Sequence, residues 1–153
     1  MVRFVKQRDE YSCAPVALLN LCKWAGVGCA YDSERYRWIK RSCGCHPGYG
    51  SEDEKITTTL RRLAGWYGWT VRFRTEPSTE QLRHELDLGN AVLLCGMYDD
   101  GEDHIALITG YDKRGLWAVN WWFSASAVKR IGWKYLETLR SRQPLLCWFV
   151  RKR

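Results

Sequence analysis

The stretch His104-Ile-Ala-Leu-Ile-Thr-Gly-Tyr-Asp-Lys-Arg-Gly-Leu-Trp-Ala-Val-Asn120 holds two apolar, partly β-branched runs around the turn Asp112-Lys-Arg-Gly115. Runs of this length flanking a Gly-containing turn read as a β-hairpin, and the returning strand is expected over 116–122. Upstream, residues 91–98 form a third run, tied to the hairpin by the acidic turn Asp99-Asp-Gly-Glu-Asp103. Residues 133–141 go back to a helical period, and 145–150 make a last strand.

Before residue 91 the spacing is mostly helical. Leu18, Leu19, Cys22 and Ala25 repeat at i, i+3/i+4 and predict a helix over 13–26, with Pro15 tolerated in its first turn and Ser12 or a nearby residue as the cap. A second helix is expected over 33–41. Cys43-Gly-Cys-His-Pro-Gly-Tyr-Gly50 is a loop by its Gly and Pro content. Ser51 with Glu54 reads as a capping box opening a helix to Tyr67, and Ser78 with Gln81 as another opening a helix to Leu88. Residues 69–74 alternate as a strand. Helices first and an antiparallel meander second give an α+β class. With no repeat, low-complexity tract or linker, 1–153 is expected to be a single domain.

Composition sets the limits. Of 153 residues, 46% are apolar and 14% aromatic, which excludes a disordered chain and favours a packed core. The longest apolar run, Ala91 to Cys95, is far short of a membrane span. Residues 1–12 contain no apolar signal core, so a reducing, cytoplasmic setting is expected. Seven cysteines cannot all pair within one chain. Disulfide, metal and nucleophile therefore stay open as uses of cysteine.

One arrangement bears on chemistry. Cys13 opens the first helix, where the positive end of the helix dipole favours a thiolate. Its general base must come from elsewhere, and the chain has only three histidines. His84 falls mid-helix among charges and reads as a surface residue, and His46 lies in the Gly-rich loop. His104 opens a strand directly after a turn, a rigid mount for a side chain aimed at a cleft. Hairpin pairing brings Asn120 close to His104, so that an amide oxygen would orient the imidazole. Cys22, Cys95 and Cys147 read as small core hydrophobes.

At these residues the chain resembles a known family. Gln7-Arg-Asp-Glu-Tyr-Ser-Cys13-Ala-Pro15, followed by a helix ending Trp24-Ala-Gly26, is similar to the opening of the C39 peptidases, papain-like cysteine peptidases best known as leader-processing domains of bacteriocin exporters. Gly48-Tyr-Gly-Ser51, Leu88-Gly-Asn-Ala-Val-Leu-Leu94, the His104 strand, Trp117-Ala-Val-Asn120 and the helix over 133–139 follow in family order. The resemblance implies a papain-like fold with no cofactor or metal. It implies Cys13 as nucleophile, His104 as base and then acid, Asn120 as orienter and Gln7 as an oxyanion-hole amide. Trp121 and Trp122 are assigned to the substrate cleft, because Asn120-Trp-Trp122 looks like the Asn-x-Trp of papain. Ala14 stands where the family usually has Gly, and Asn120-Trp121 where its exporters have Asp-Pro. The implied reaction is hydrolysis of a peptide or isopeptide bond through a thioester. Deamidation, transamidation and peptidoglycan amide cleavage use the same attack and stay open.

Two readings compete. Cys43, Cys45 and His46, with Cys29 or Cys22, would suit a structural zinc site, although C-x-C departs from the usual C-x₂₋₄-C pairs. Twenty-four Lys and Arg against 17 Asp and Glu give a net charge of +7, which with nine tryptophans invites a nucleic-acid module. No such motif is present, so nucleic acid is disfavoured and an acidic protein substrate or partner is the expectation for the basic surface.

Overall fold

A computed structural model describes residues 1–97, 102–120 and 126–153. Its elements in chain order are α1 (Cys13–Trp24), α2 (Glu34–Ser42), α3 (Asp53–Tyr67), β1 (Thr70–Thr75), α4 (Thr79–Asp87), β2 (Ala91–Met97), β3 (Asp103–Asp112), β4 (Gly115–Val119), β5 (Val128–Gly132), α5 (Trp133–Arg142) and β6 (Leu146–Arg151). The strands form one antiparallel sheet in the order β1-β6-β2-β3-β4-β5. The expected meander is β2-β3-β4. It is continued by β5, where Lys129-Arg130 interrupts the apolar pattern and hides the strand from a reading by periodicity.

Each face of the sheet buries its own core. Alternate residues Leu93, Cys95, Ile105 and Leu107 pack under α1, α2 and α3 with Leu18, Leu21, Ile39 and Leu60. Their neighbours Val92, Leu94, Ala106 and Ile108 pack with Leu82 of α4 and Leu136 and Leu139 of α5. Covering both faces explains the unbroken apolar run of β2, since a strand exposed on one face would alternate. Gly115 is needed where β4 meets β5: a Cβ there would lie 2.0 Å from the Ile131 carbonyl oxygen.

The three expected caps fare differently. Ser78 and Gln81 form the reciprocal capping box. Ser51 does not cap α3: the N-cap is Glu52, and Asp53 and Glu54 place negative charge on the helix's positive end. Ser12 sits at the N-cap of α1 without a side-chain bond. The carboxylate of Asp9 binds this turn instead, accepting from the N–H groups of Tyr11 (3.1 Å) and Ser12 (2.7 Å).

Candidate active site

The start of α1 and the start of β3 meet because α1 packs across β3. There Cys13 and His104 line one cavity of about 360 Å³. The backbone N–H of Ile105, the residue after His104, is directed at the Cys13 sulfur. Burial pushes the Cys13 thiol above its ordinary value; the N–H groups of Ile105, Ala14 and Cys13 itself pull it down, and nearby Asp103 adds a smaller upward push. The expected thiolate from helix placement is thus outweighed by desolvation. Ionising this sulfur needs a base beside it.

His104 is 6% exposed, and its Nε2 lies 2.7 Å from the backbone carbonyl oxygen of Asn120. A carbonyl only accepts, so the ring proton sits on Nε2 and Nδ1 is the accepting nitrogen of the ring. Asn120 does meet His104, but through a different atom from the one expected. β3 and β4 pair Leu107 with Val119, and past Val119 the chain turns out of the strand at Asn120, whose φ is +57°. That left-handed conformation, which Asn tolerates better than most residues, aims the carbonyl at the imidazole.

The side chain of Asn120, fully buried, points elsewhere. Its Oδ1 accepts from the Gln7 backbone N–H at 2.7 Å, and its Nδ2 donates to Gln7 Oε1 at 3.0 Å. Gln7 Nε2 in turn donates to the Asp9 carbonyl at 2.6 Å. The glutamine expected at an oxyanion hole is therefore committed to a clamp joining the N-terminal segment to the end of β4. The bond to Asp9 uses one of the two Nε2 hydrogens and leaves the second N–H of the amide as a donor. Trp121 and Trp122, expected at the substrate cleft, lie outside the described residues.

The zinc ligands suggested by spacing do not converge. His46 Nδ1 accepts from Gly48 N–H at 3.1 Å and its ring stacks on Tyr49, while the Cys45 thiol donates to the Tyr11 carbonyl at 3.6 Å. The thiols of Cys22 and Cys29 influence each other at the far end of α1, away from these residues. Among the described residues no three His, Cys, Asp or Glu side chains are grouped to hold a metal ion.

Sequence reading missed other cavity residues. Cys95, read only as core, lines the cavity, as do Glu10, Asp53, Glu102 and Asp103. No Lys or Arg is among the described lining residues. An acidic substrate thus meets no Lys or Arg among these described residues. The acidic turn before β3 was a visible signal for Glu102 and Asp103; nothing marked Asp53 beyond its helix start.

This arrangement of helices and sheet recurs in solved structures. The peptidase domain of Streptococcus ComA, a bifunctional ABC transporter of a quorum-sensing pathway, superposes with a TM-score of 0.70 at 16% identity, covering 99% of this chain and all of that domain. A Bacillus anthracis chain described as a C39-like peptidase gives 0.68 at 12% identity, with 99% and 96% covered. The chain has the C39 peptidase fold. The ComA peptidase domain of Streptococcus mutans agrees, at 0.59 and 14% identity over 97% and 98% of the two chains. No family model and no curated protein sequence matches the chain. The C39 fold is thus shared with chains whose sequences have diverged almost completely from this one.

Proposed function

We propose that this chain is a cysteine peptidase in which Cys13 attacks an amide carbonyl. The observation that carries the reading is the shared cavity: a sulfur at a helix start faces the same space as an imidazole held by Nε2. His104 Nδ1 takes the thiol proton as the sulfur bonds to the carbonyl carbon. The Cys13 N–H, at the open end of α1, supplies a donor for the oxyanion. His104 then returns the proton to the departing amine, leaving a thioester. Water attacks the thioester with His104 again as base, releasing the acid and restoring the thiol.

In this reading Asn120 is a positioning residue that acts on His104 through its backbone carbonyl, and Gln7 holds Asn120. The whole of 1–153 serves as one catalytic unit. All seven cysteines are free thiols, which suits a reducing, cytoplasm-like setting. Among the described residues no helix is long and apolar enough to cross a membrane.

The test is a mixed peptide library incubated with the protein and with its Cys13→Ala variant, read by mass spectrometry. New peptide ends formed by the first and absent with the second are expected. Identical product patterns overturn the reading, and ammonia release without chain cleavage would replace hydrolysis of the chain with deamidation.

A further inference from the structure

The charge of the cleft opposes the charge of the chain. The protein carries +7 overall, yet the charged side chains lining the cavity, among the described residues, are the carboxylates of Glu10, Asp53, Glu102 and Asp103 around Cys13 and His104. Asp53 enters none of the ion pairs among the described residues. Asp103 accepts a 2.5 Å bond from the neutral amide of Gln143. Burial first, and then the charge of Asp103, raise the Asp53 carboxyl above its ordinary value. Both carboxylates push the buried Cys95 thiol at the cavity wall further up, after burial itself. Their field therefore reaches into the cavity and not only into solvent. Low-dielectric walls concentrate such a field and raise the local concentration of an oppositely charged ligand. A metal ion is a poor occupant, since among the described residues no three ligating side chains converge. A cation on a long flexible stem fits better: it reaches carboxylates at the rim while its backbone lies at the sulfur.

We infer that the cleft selects a peptide carrying a lysine or arginine side chain beside the bond that Cys13 attacks, with Asp53 and Asp103 as the specificity-determining residues. The inference rests on the peptidase reading for its substrate, while the charge selectivity of the cleft is testable without any peptidase activity.

Cys13 is allowed to react with two methanethiosulfonates of similar size, one bearing a trimethylammonium and one a sulfonate. The thiolate attacks the sulfenyl sulfur, forming a mixed disulfide and expelling methanesulfinate. Each rate, followed at Cys13 by peptide mapping, is divided by the reagent's rate with mercaptoethanol. In low salt the cation-to-anion ratio is expected to exceed one by about 3- to 10-fold and to fall toward one in molar salt. Asp53→Asn and Asp103→Asn should each lower it, and the double variant should bring it near one. The salt series on the unmodified protein needs no variant to fold. A ratio near one in low salt, or one unchanged by the double variant, overturns the inference. With peptides differing only in Arg or Glu next to a cleaved bond, equal cleavage overturns it for substrates while leaving the peptidase reading intact. If the reagent ratio holds but no peptide is cut, the cleft selects cations and the peptidase reading is what fails.

Discussion

The two ends of α1 hold two thiol environments of opposite character. At the start, Cys13 is pushed up by burial despite three N–H groups near its sulfur. Past the other end, Cys29 is pulled below the ordinary thiol range, chiefly by the Cys22 thiol bonding to it. Burial opposes this, and Ser33, whose Oγ lies 3.8 Å away, Arg35 and Lys23 assist it. Acidity alone would choose Cys29 as the nucleophile. Of these two, it is Cys13 that shares a cavity with an anchored imidazole. On the proposed mechanism the contrast separates two properties: a base placed to accept the thiol proton during attack, and a low resting pKa.

The sharpest way to break this contrast is to remove each sulfur. Cys13→Ala is expected to lower kcat/KM on a cleaved peptide by at least about 10³-fold. Cys29→Ala should change it less than about 3-fold, since Cys29 is not among the described residues lining the cleft. A comparable loss in the second variant would reverse the assignment.

Removing the base comes next. His104→Ala should slow cleavage by about 10²-fold or more and slow iodoacetamide labelling of Cys13 at pH 7, with Cys29 labelling unchanged. The pH dependence carries a sign. Because burial raises the Cys13 thiol, its labelling without His104 should climb only above the ordinary thiol range of about 8.5. With His104 in place, labelling is expected at lower pH. Cys13 profiles that coincide with and without His104 would show that the imidazole does not take the proton.

How much of this was readable beforehand follows from the range of each interaction. Helices and strands with a clean period, such as α1, α4, β2 and the β3–β4 hairpin, are local and were legible. β5 was not, because Lys129-Arg130 breaks its alternation. The place of β6 between β1 and β2 is also set by pairings across long chain separations that no local pattern records. Cys13, His104, Gln7 and Asn120 could be named from residue type and order. The atom each uses could not: the Asn120 carbonyl faces His104 only because φ at one residue is positive, and Gln7 binds a partner 113 residues away.

That clamp gives the third prediction. Asn120→Ala removes two buried bonds and leaves the Gln7 N–H unpaired, so a stability loss of about 1–3 kcal/mol is expected by denaturant unfolding. The His104 anchor is a backbone atom that the variant keeps, so kcat/KM should fall only about 10-fold in conditions where the protein stays folded. A loss as large as that of His104→Ala would mean that the side chain orients the imidazole.

The smallest effect is expected at the opposite end of α1, where charge acts on a thiol without a cleft. Arg35 donates to the Gly28 carbonyl, and its guanidinium lies 5.5 Å from the Tyr67 ring centre. It thus both ties the segment before Cys29 and lowers that thiol. Removing the positive charge raises the Cys29 pKa, so less thiolate exists at pH 7 and labelling there should slow by about 2- to 3-fold. Well above the thiol's pKa the two rates should converge, because the sulfur is then ionised in both proteins. Arg35→Gln tests the charge, and Arg35→Lys restores it with a different donor geometry. If both variants slow labelling equally at every pH, the tie to Gly28 governs access to Cys29 and the charge does not. A change in Cys13 labelling in either variant would mean that the two ends of α1 are coupled through the helix, and the contrast between the thiols would no longer be local.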